Sequence, residues 1–274
     1  MPEFNVYTAE RSTGTDTNGK YVSTLAMSQS SNYIRLLTCV FANTFYNVTE
    51  TLGNSFTIQT ADDNTGTNEE QWTVTLANGY YDYSQLVLAL KAGFEGLSGW
   101  TGTISFTLGE SSQLMTIAVT GKYIKVIGRN TLGLSPNDDL LNLMLGFTPQ
   151  SLDSEDWALS QTGNSIVNVQ RVKKVIVLTD MINPRSYTTA KQYFTDGSYS
   201  SGRITNVLCE LPIATIPFGQ YGIYQPTGSL FKQVLPNTIN NFSLVIVDDK
   251  LRPISSNGSP FSFTFETQMD MGPN

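Results

Sequence analysis

The side chains that could do chemistry here are mostly acids. Glu110, Asp153, Glu155 and Asp156 come nearest to a carboxylate cluster, and Asp138-Asp139 and Asp248-Asp249 are adjacent acidic pairs. Two carboxyls facing each other across a cleft could hydrolyse a glycosidic bond, and paired acids could hold a hard divalent cation. The chain has no histidine. Ser-His and Cys-His nucleophile activation, His-ligated zinc and imidazole general-base catalysis are therefore closed to it. The acids also have simpler explanations. Asp138 and Asp139 fall in the first turn of an expected helix, where they complement its dipole. Asp248-Asp249 lie at a hairpin turn, where Asp is the expected residue, and loop acids are ordinarily just solvated. The residues point away from an enzyme, and neither a cofactor nor a metal is expected.

The remaining polar chemistry is sparse. Net charge is -7 and only 14% of residues are charged, a balance that argues against binding nucleic acid, which draws on clustered Lys and Arg to neutralise phosphates, and no sequence-specific nucleic-acid binding is expected. The one dense basic patch, Arg171, Lys173 and Lys174, reads as an edge strand or solvent face guarded against aggregation. Its functional reading is an inward surface meeting a polyanion or an acidic neighbour. Cys39 and Cys209 sit in strand-like apolar stretches. Without a secretory hydrophobic segment at the start of the sequence, they read as two buried free thiols rather than a disulfide. The sequons at Asn47, Asn241 and Asn257 then read as accidents of composition. No run is long and apolar enough for a transmembrane segment, and synthesis in the cytosol is expected.

Most of the chain reads as β-structure. Residues 1–33 are polar and aperiodic, a flexible N-terminal arm. A long β-branched and aromatic run from Ile34 to Val48 continues after Gly53-Asn54 into Ser55–Thr60 and reads as the first sheet hairpin. Residues 71–163 change texture. A strand leads to a helix over about 83–94, with Tyr83, Leu86, Leu90 and Phe94 at helical spacing, Asp82 as N-cap and Gln85 completing a capping box. Three short strands follow, then a second helix over about 136–145, with Ser135 as N-cap, Pro136 at its first position and Gly146 as its stop. The polar stretch from Gln150 to Gly163 is the linker back to the main sheet.

From residue 164 the chain is β again. A long loop from Asn183 to Gly202 carries Tyr187, Tyr193 and Tyr199, and a Pro-punctuated stretch carries Tyr221 and Tyr224. At the end, Phe242, Leu244 and Ile246 alternate with Val245 and Val247, a strand buried between two layers, and Phe261, Phe263 and Phe265 line one face of the last strand. About eight β runs outside the helical segment suit a two-sheet jelly roll. The expected architecture is a mainly β, antiparallel jelly-roll sandwich from 34–70 and 164–274, with 71–163 as an inserted α+β segment.

Three stretches carry a resemblance: VTLANGYYDYSQLVLALKAGF, LGLSPNDDLLNLMLGFTP and the C-terminal LPNTINNFSLVIVDDKLRPISSNGSPFSFTFET. In order and spacing they resemble the penton-type minor capsid proteins of eukaryotic double-stranded DNA viruses, virophages and polinton-like elements. The resemblance implies a single jelly roll, five copies around an icosahedral vertex, contacts to the neighbouring major capsid protein, and a place in the virion after synthesis in the host cytoplasm. The chain is too short for the double jelly roll of that lineage's major capsid protein, and it lacks an Arg-Gly-Asp motif, so receptor attachment does not carry over. Subunit contacts would draw on aromatic anchors such as Tyr187, Tyr193, Tyr221 and Tyr224. The alternative is a glycan- or receptor-binding β-sandwich using Trp72, Trp100 and Trp157.

Overall fold

The alternation at the end of the chain forms an eight-residue strand, Ser262–Met269. Phe261, Phe263 and Phe265 are buried on one side, their rings stacked 5.9 Å and 6.1 Å apart, and Phe41 stacks 5.8 Å from Phe261. The computed structural model describes residues 3–7, 13–14, 18–22, 31–50, 52–127, 141–147, 156–170, 172–180, 187–189, 192–193, 199–200, 203–205, 207–227, 232–233, 241–249 and 251–269.

In chain order the first strands are β1 (Glu3–Tyr7), β2 (Thr13–Gly14), β3 (Asn18–Val22) and β4 (Ser31–Ala42). Then come β5 (Ser55–Ala61), β6 (Glu70–Thr75), helix α1 (Tyr83–Glu95), β7 (Ile104–Leu108), β8 (Met115–Val119), β9 (Tyr123–Val126), helix α2 (Leu141–Met144) and β10 (Ser160–Thr162). The last group is β11 (Lys174–Thr179), β12 (Tyr187–Thr189), β13 (Gln192–Tyr193), β14 (Tyr199–Ser200), β15 (Arg203–Thr205), β16 (Val207–Pro212), β17 (Tyr221–Tyr224), β18 (Lys232–Gln233), β19 (Asn241–Asp248) and β20 (Ser262–Met269).

Two units divide the chain: Met1–Phe45 with Val172–Phe194 and Ser198–Asn274, and Tyr46–Arg171 with Thr195–Gly197. The first is the jelly-roll sandwich. One sheet runs β1-β20-β4-β17 with β18 also on β4, the other β16-β11-β19-β3-β2, and the pairings are antiparallel. Phe242, Leu244 and Ile246 are buried, and so is Val247 on the other face of the same strand. There it joins Ile176 and Val207, with Val245, Leu178 and Leu251 against them, so β19 is covered on both faces, as its composition implies.

The amino-terminal segment departs from the expected flexible arm. Glu3–Tyr7 pairs along β20, Asn18–Val22 pairs along β19, and β4 begins at Ser31 rather than at 34. These strands occupy edges of β20 and β19 that would otherwise present unpaired backbone groups. Within the Asn183–Gly202 stretch, expected as a loop, the described residues are strands. β12 pairs with β15 and β13 with β14 in one unshifted register, from Tyr187 opposite Thr205 to Tyr193 opposite Tyr199, which makes a β-ribbon between β11 and β16. β11 is not the edge strand its lysines suggested, because β16 and β19 flank it. Lys174 instead pairs with Glu210 at 2.7 Å, and Arg171 lies outside the described residues.

The second unit has its own core, built from the sheets β6-β5-β9 and β10-β8-β7 and helix α1. β5, expected to pair with β4 in the sandwich, pairs with β6 and β9 here, and the unit begins at Tyr46 rather than near residue 71. Helix α1 follows its sequence signals closely. The Asp82 carboxylate accepts from the Gln85 N–H at 2.8 Å, and the Gln85 side chain accepts from the Asp82 N–H at 3.0 Å. Leu86, Leu90 and Phe94 are fully buried, and Phe94 meets Phe56 edge-on at 6.1 Å. Asp82→Ala is expected to lower stability by about 1 kcal/mol and melting by a few degrees in a thermal scan. Melting unchanged from wild type would show that the cap contributes nothing.

Of the second helix, the final turn lies among the described residues; Ser135, Pro136, Asp138 and Asp139 lie outside them. Its end is a Schellman motif: Phe147 N–H donates to the Asn142 carbonyl at 2.9 Å, Gly146 N–H to that of Leu143 at 3.3 Å, and Gly146 has φ +84°.

Candidate assembly surfaces

Of the four tyrosines expected at subunit contacts, two fall on the ribbon and two on an edge strand. Tyr187 and Tyr193 belong to β12 and β13. Tyr221 and Tyr224 both belong to β17, which ends its sheet beyond β4. Three positions apart on a strand, they must face opposite ways. Tyr221 is 75% exposed and Ile223, on its side, is 70% exposed. Gly222 faces inward against Phe41, and a Cβ there would lie 2.3 Å from the Ile216 Cδ1. Tyr224 is half-buried, and burial, with Cys209, Glu210 and Cys39 nearby, pushes its hydroxyl above the usual phenol range. The sequence grouped the two tyrosines, but strand parity separates them, leaving Tyr221 and Ile223 as the outward pair. Ile223 carried no signal in the sequence except that parity.

The acids among the described residues lie apart or serve local turns. Among the described residues no group of three or more His, Cys, Asp or Glu side chains is arranged to hold a metal. Glu110 and Asp156 are exposed, while Asp153 and Glu155 lie outside the described residues. Asp248 is buried and serves its own turn, accepting from the Arg252 N–H and Nε at 2.8 Å each. Asp63 closes the β5–β6 loop: Thr67 and Thr65 donate to its carboxylate and hold it well below the usual carboxylate range.

The tryptophans are engaged in packing. Trp72 and Trp100 meet edge-on at 5.2 Å, and Trp72 donates to the Thr60 hydroxyl at 2.9 Å. Lys125 lies 4.4 Å over the Trp157 ring, whose Nε1 would be 2.8 Å from a Cβ on Gly66. None of the three is more than half-exposed, which leaves little open ring face for stacking a sugar.

No protein-family model matches the chain, and no curated protein matches it. Among solved structures it is similar to the crystal structure of the mavirus penton protein, with TM-score 0.51 and 12% identity over 97% of this chain and 98% of that one. The two share a fold. The aligned region spans both units of this chain. The chain also aligns with a chain of the Sputnik virophage cryo-EM structure, at 9% identity and TM-score 0.46 over 96% of each. No helix among the described residues is long and apolar enough to cross a membrane.

Proposed function

We propose that this chain is a structural capsid protein that closes the fivefold vertices of an icosahedral double-stranded DNA virus or virus-like element. It would act through self-assembly and contact with a neighbouring major capsid protein rather than through catalysis. The observation that carries this reading is the end-to-end penton fold. A closed ring needs two different surfaces on each subunit, one for each neighbour. The outward pair Tyr221 and Ile223 on an edge strand supplies one, with a large aromatic of the kind that anchors interfaces. The ribbon with Tyr187 and Tyr193 is the candidate for further contacts. Its place in the virion follows from that role.

Particle imaging and mass determination of the purified chain test the reading. Rings of five are expected. A chain that stays monomeric at high concentration, or forms trimers, overturns it. The variant Tyr221→Asp with Ile223→Asp is expected to weaken ring formation by at least about 30-fold, the equivalent of losing a hot spot of about 2 kcal/mol. Both residues are exposed, so its melting temperature should stay near that of the parent. Rings of undiminished stability in the variant would move the contact elsewhere.

A further inference from the structure

We infer that β17 is a strand-addition site: its open edge takes β1 of a second copy of this chain, so that the sheet β1-β20-β4-β17 runs on from one subunit into the next. This rests on the ring reading above and says how neighbours hold each other. Among the described residues β17 pairs with β4 alone, which leaves its other edge open. A bulge fixes what that edge presents. Gly219 N–H donates to the Asn43 carbonyl at 2.7 Å, Asn43 N–H donates to the Gln220 carbonyl at 2.9 Å, and Gly219 has φ +80°, the arrangement in which two residues oppose one. Beyond it, hydrogen-bonded and non-hydrogen-bonded pairs alternate. Gly222 and Tyr224 therefore face Phe41 and Cys39 with their backbone groups, while Tyr221 and Ile223 turn theirs away from β4. The Ala42 carbonyl, opposite Tyr221, accords with this: it accepts from Thr44 N–H, at 3.0 Å. The two residues with the most exposed large apolar side chains thus also offer the open backbone donors and acceptors.

Natural edge strands are commonly guarded by charge. β17 has none, and no charged residue occurs between Glu210 and Lys232. Of the six large apolar side chains exposed among the described residues, Phe218, Tyr221 and Ile223 fall within six positions, a cluster of the kind that marks a contact. The partner's chemistry follows: an extended strand with an open edge of its own and little charge. The chain's net charge of -7 makes two copies repel, and they approach at least cost where one edge carries no charge. β1 fits. It closes the opposite end of the same sheet, and Glu3, its only charged residue, would meet no acid on β17. Direction fits as well: β1 is antiparallel to β20, β20 to β4 and β4 to β17, so β17 and β1 run antiparallel. A neighbour set alongside in the same orientation lays its β1 antiparallel along β17, which continues the sheet's own pattern. Opposite edges of one sheet are two different surfaces, as a head-to-tail ring requires, and strand addition draws its affinity from main-chain hydrogen bonds.

Hydrogen exchange read by mass spectrometry on the natural chain tests this, at a concentration where rings form and at a dilution where the chain is single. Peptides covering Glu3–Tyr7 and Tyr221–Tyr224 are both expected to exchange at least about tenfold more slowly in the ring, because an amide paired across the contact exchanges only when the contact opens. Rings that protect Tyr221–Tyr224 without Glu3–Tyr7, or neither, overturn the inference and leave the ring reading standing. A chain that is single at every concentration overturns both. Ile223→Pro supplies a second measurement. Proline removes an N–H that faces away from β4, so the β4 ladder and the melting temperature should survive, while ring formation should weaken at least about tenfold. Ile223→Thr keeps the backbone donor and should weaken the ring less. Undiminished rings in the proline variant, or an equal loss in both variants, overturn the main-chain contact.

Discussion

Phe263→Asp is expected to leave no soluble, folded chain. Phe263 has no exposed surface and sits between Phe261 and Phe265 in the ring stack, on a strand flanked by β1 and β4. Loss of the ring alone costs about 3–5 kcal/mol. An unpaired carboxylate at that depth adds several kcal/mol more, because Cys39, directly opposite, can give it no counter-charge. Together these terms are comparable to the whole stability of an ordinary domain, roughly 5–15 kcal/mol. Ser262→Asp, one residue away on the partly open face, places the same charge outside the core and should remain soluble. Soluble fraction after expression, circular dichroism and thermal melting distinguish the two. A soluble Phe263→Asp protein with wild-type melting would mean that this strand is not core.

What the sequence made legible is local. Asp82, Gln85, Leu86, Leu90 and Phe94 encode helix α1 through contacts three to eight residues apart, and both capping hydrogen bonds form as that spacing implies. Phe261, Phe263 and Phe265 encode their strand by simple alternation, and Gly146 encodes a helix stop. The features that escaped depend on long-range pairing. In Glu3–Tyr7 only Phe4 and Val6 alternate, too short a run to mark a strand by itself, and Asn18–Val22 has no apolar alternation; their place is set by the open edges of β20 and β19, strands encoded more than two hundred positions later. β5 has the texture of a sandwich strand, yet its partners β6 and β9 put it in the other unit. The surfaces follow the same division. Tyr221 was visible as an aromatic, but its outward direction and the inward turn of Tyr224 appear only once the sheets are assembled.

Gly146→Ala is expected to destabilise the second unit by roughly 3–5 kcal/mol, combining left-handed backbone strain with overpacking. With φ at +84°, an L-residue is strained there even in open space. Space is not open either: a Cβ at Gly146 would lie 2.0 Å from the Ser165 carbonyl oxygen and 3.0 Å from its carbon. That backbone cannot simply withdraw, because Ser165 N–H donates to the Gly146 carbonyl at 3.0 Å and Asn168 N–H to that of Met144 at 2.9 Å. The approach is tight from the other side too, since a Cβ on Gly163 would come within 2.7 Å of the Gly146 oxygen. Gly121→Ala supplies the comparison. Its φ is +71°, but nothing lies within 4 Å of the added Cβ, so it should cost only the conformational part, about 1–2 kcal/mol. Chemical denaturation of the two variants side by side separates strain from collision. If both lose the same stability, the chain around Ser165 yields to the methyl group, and the helix end is not held by the backbone contact that its geometry implies.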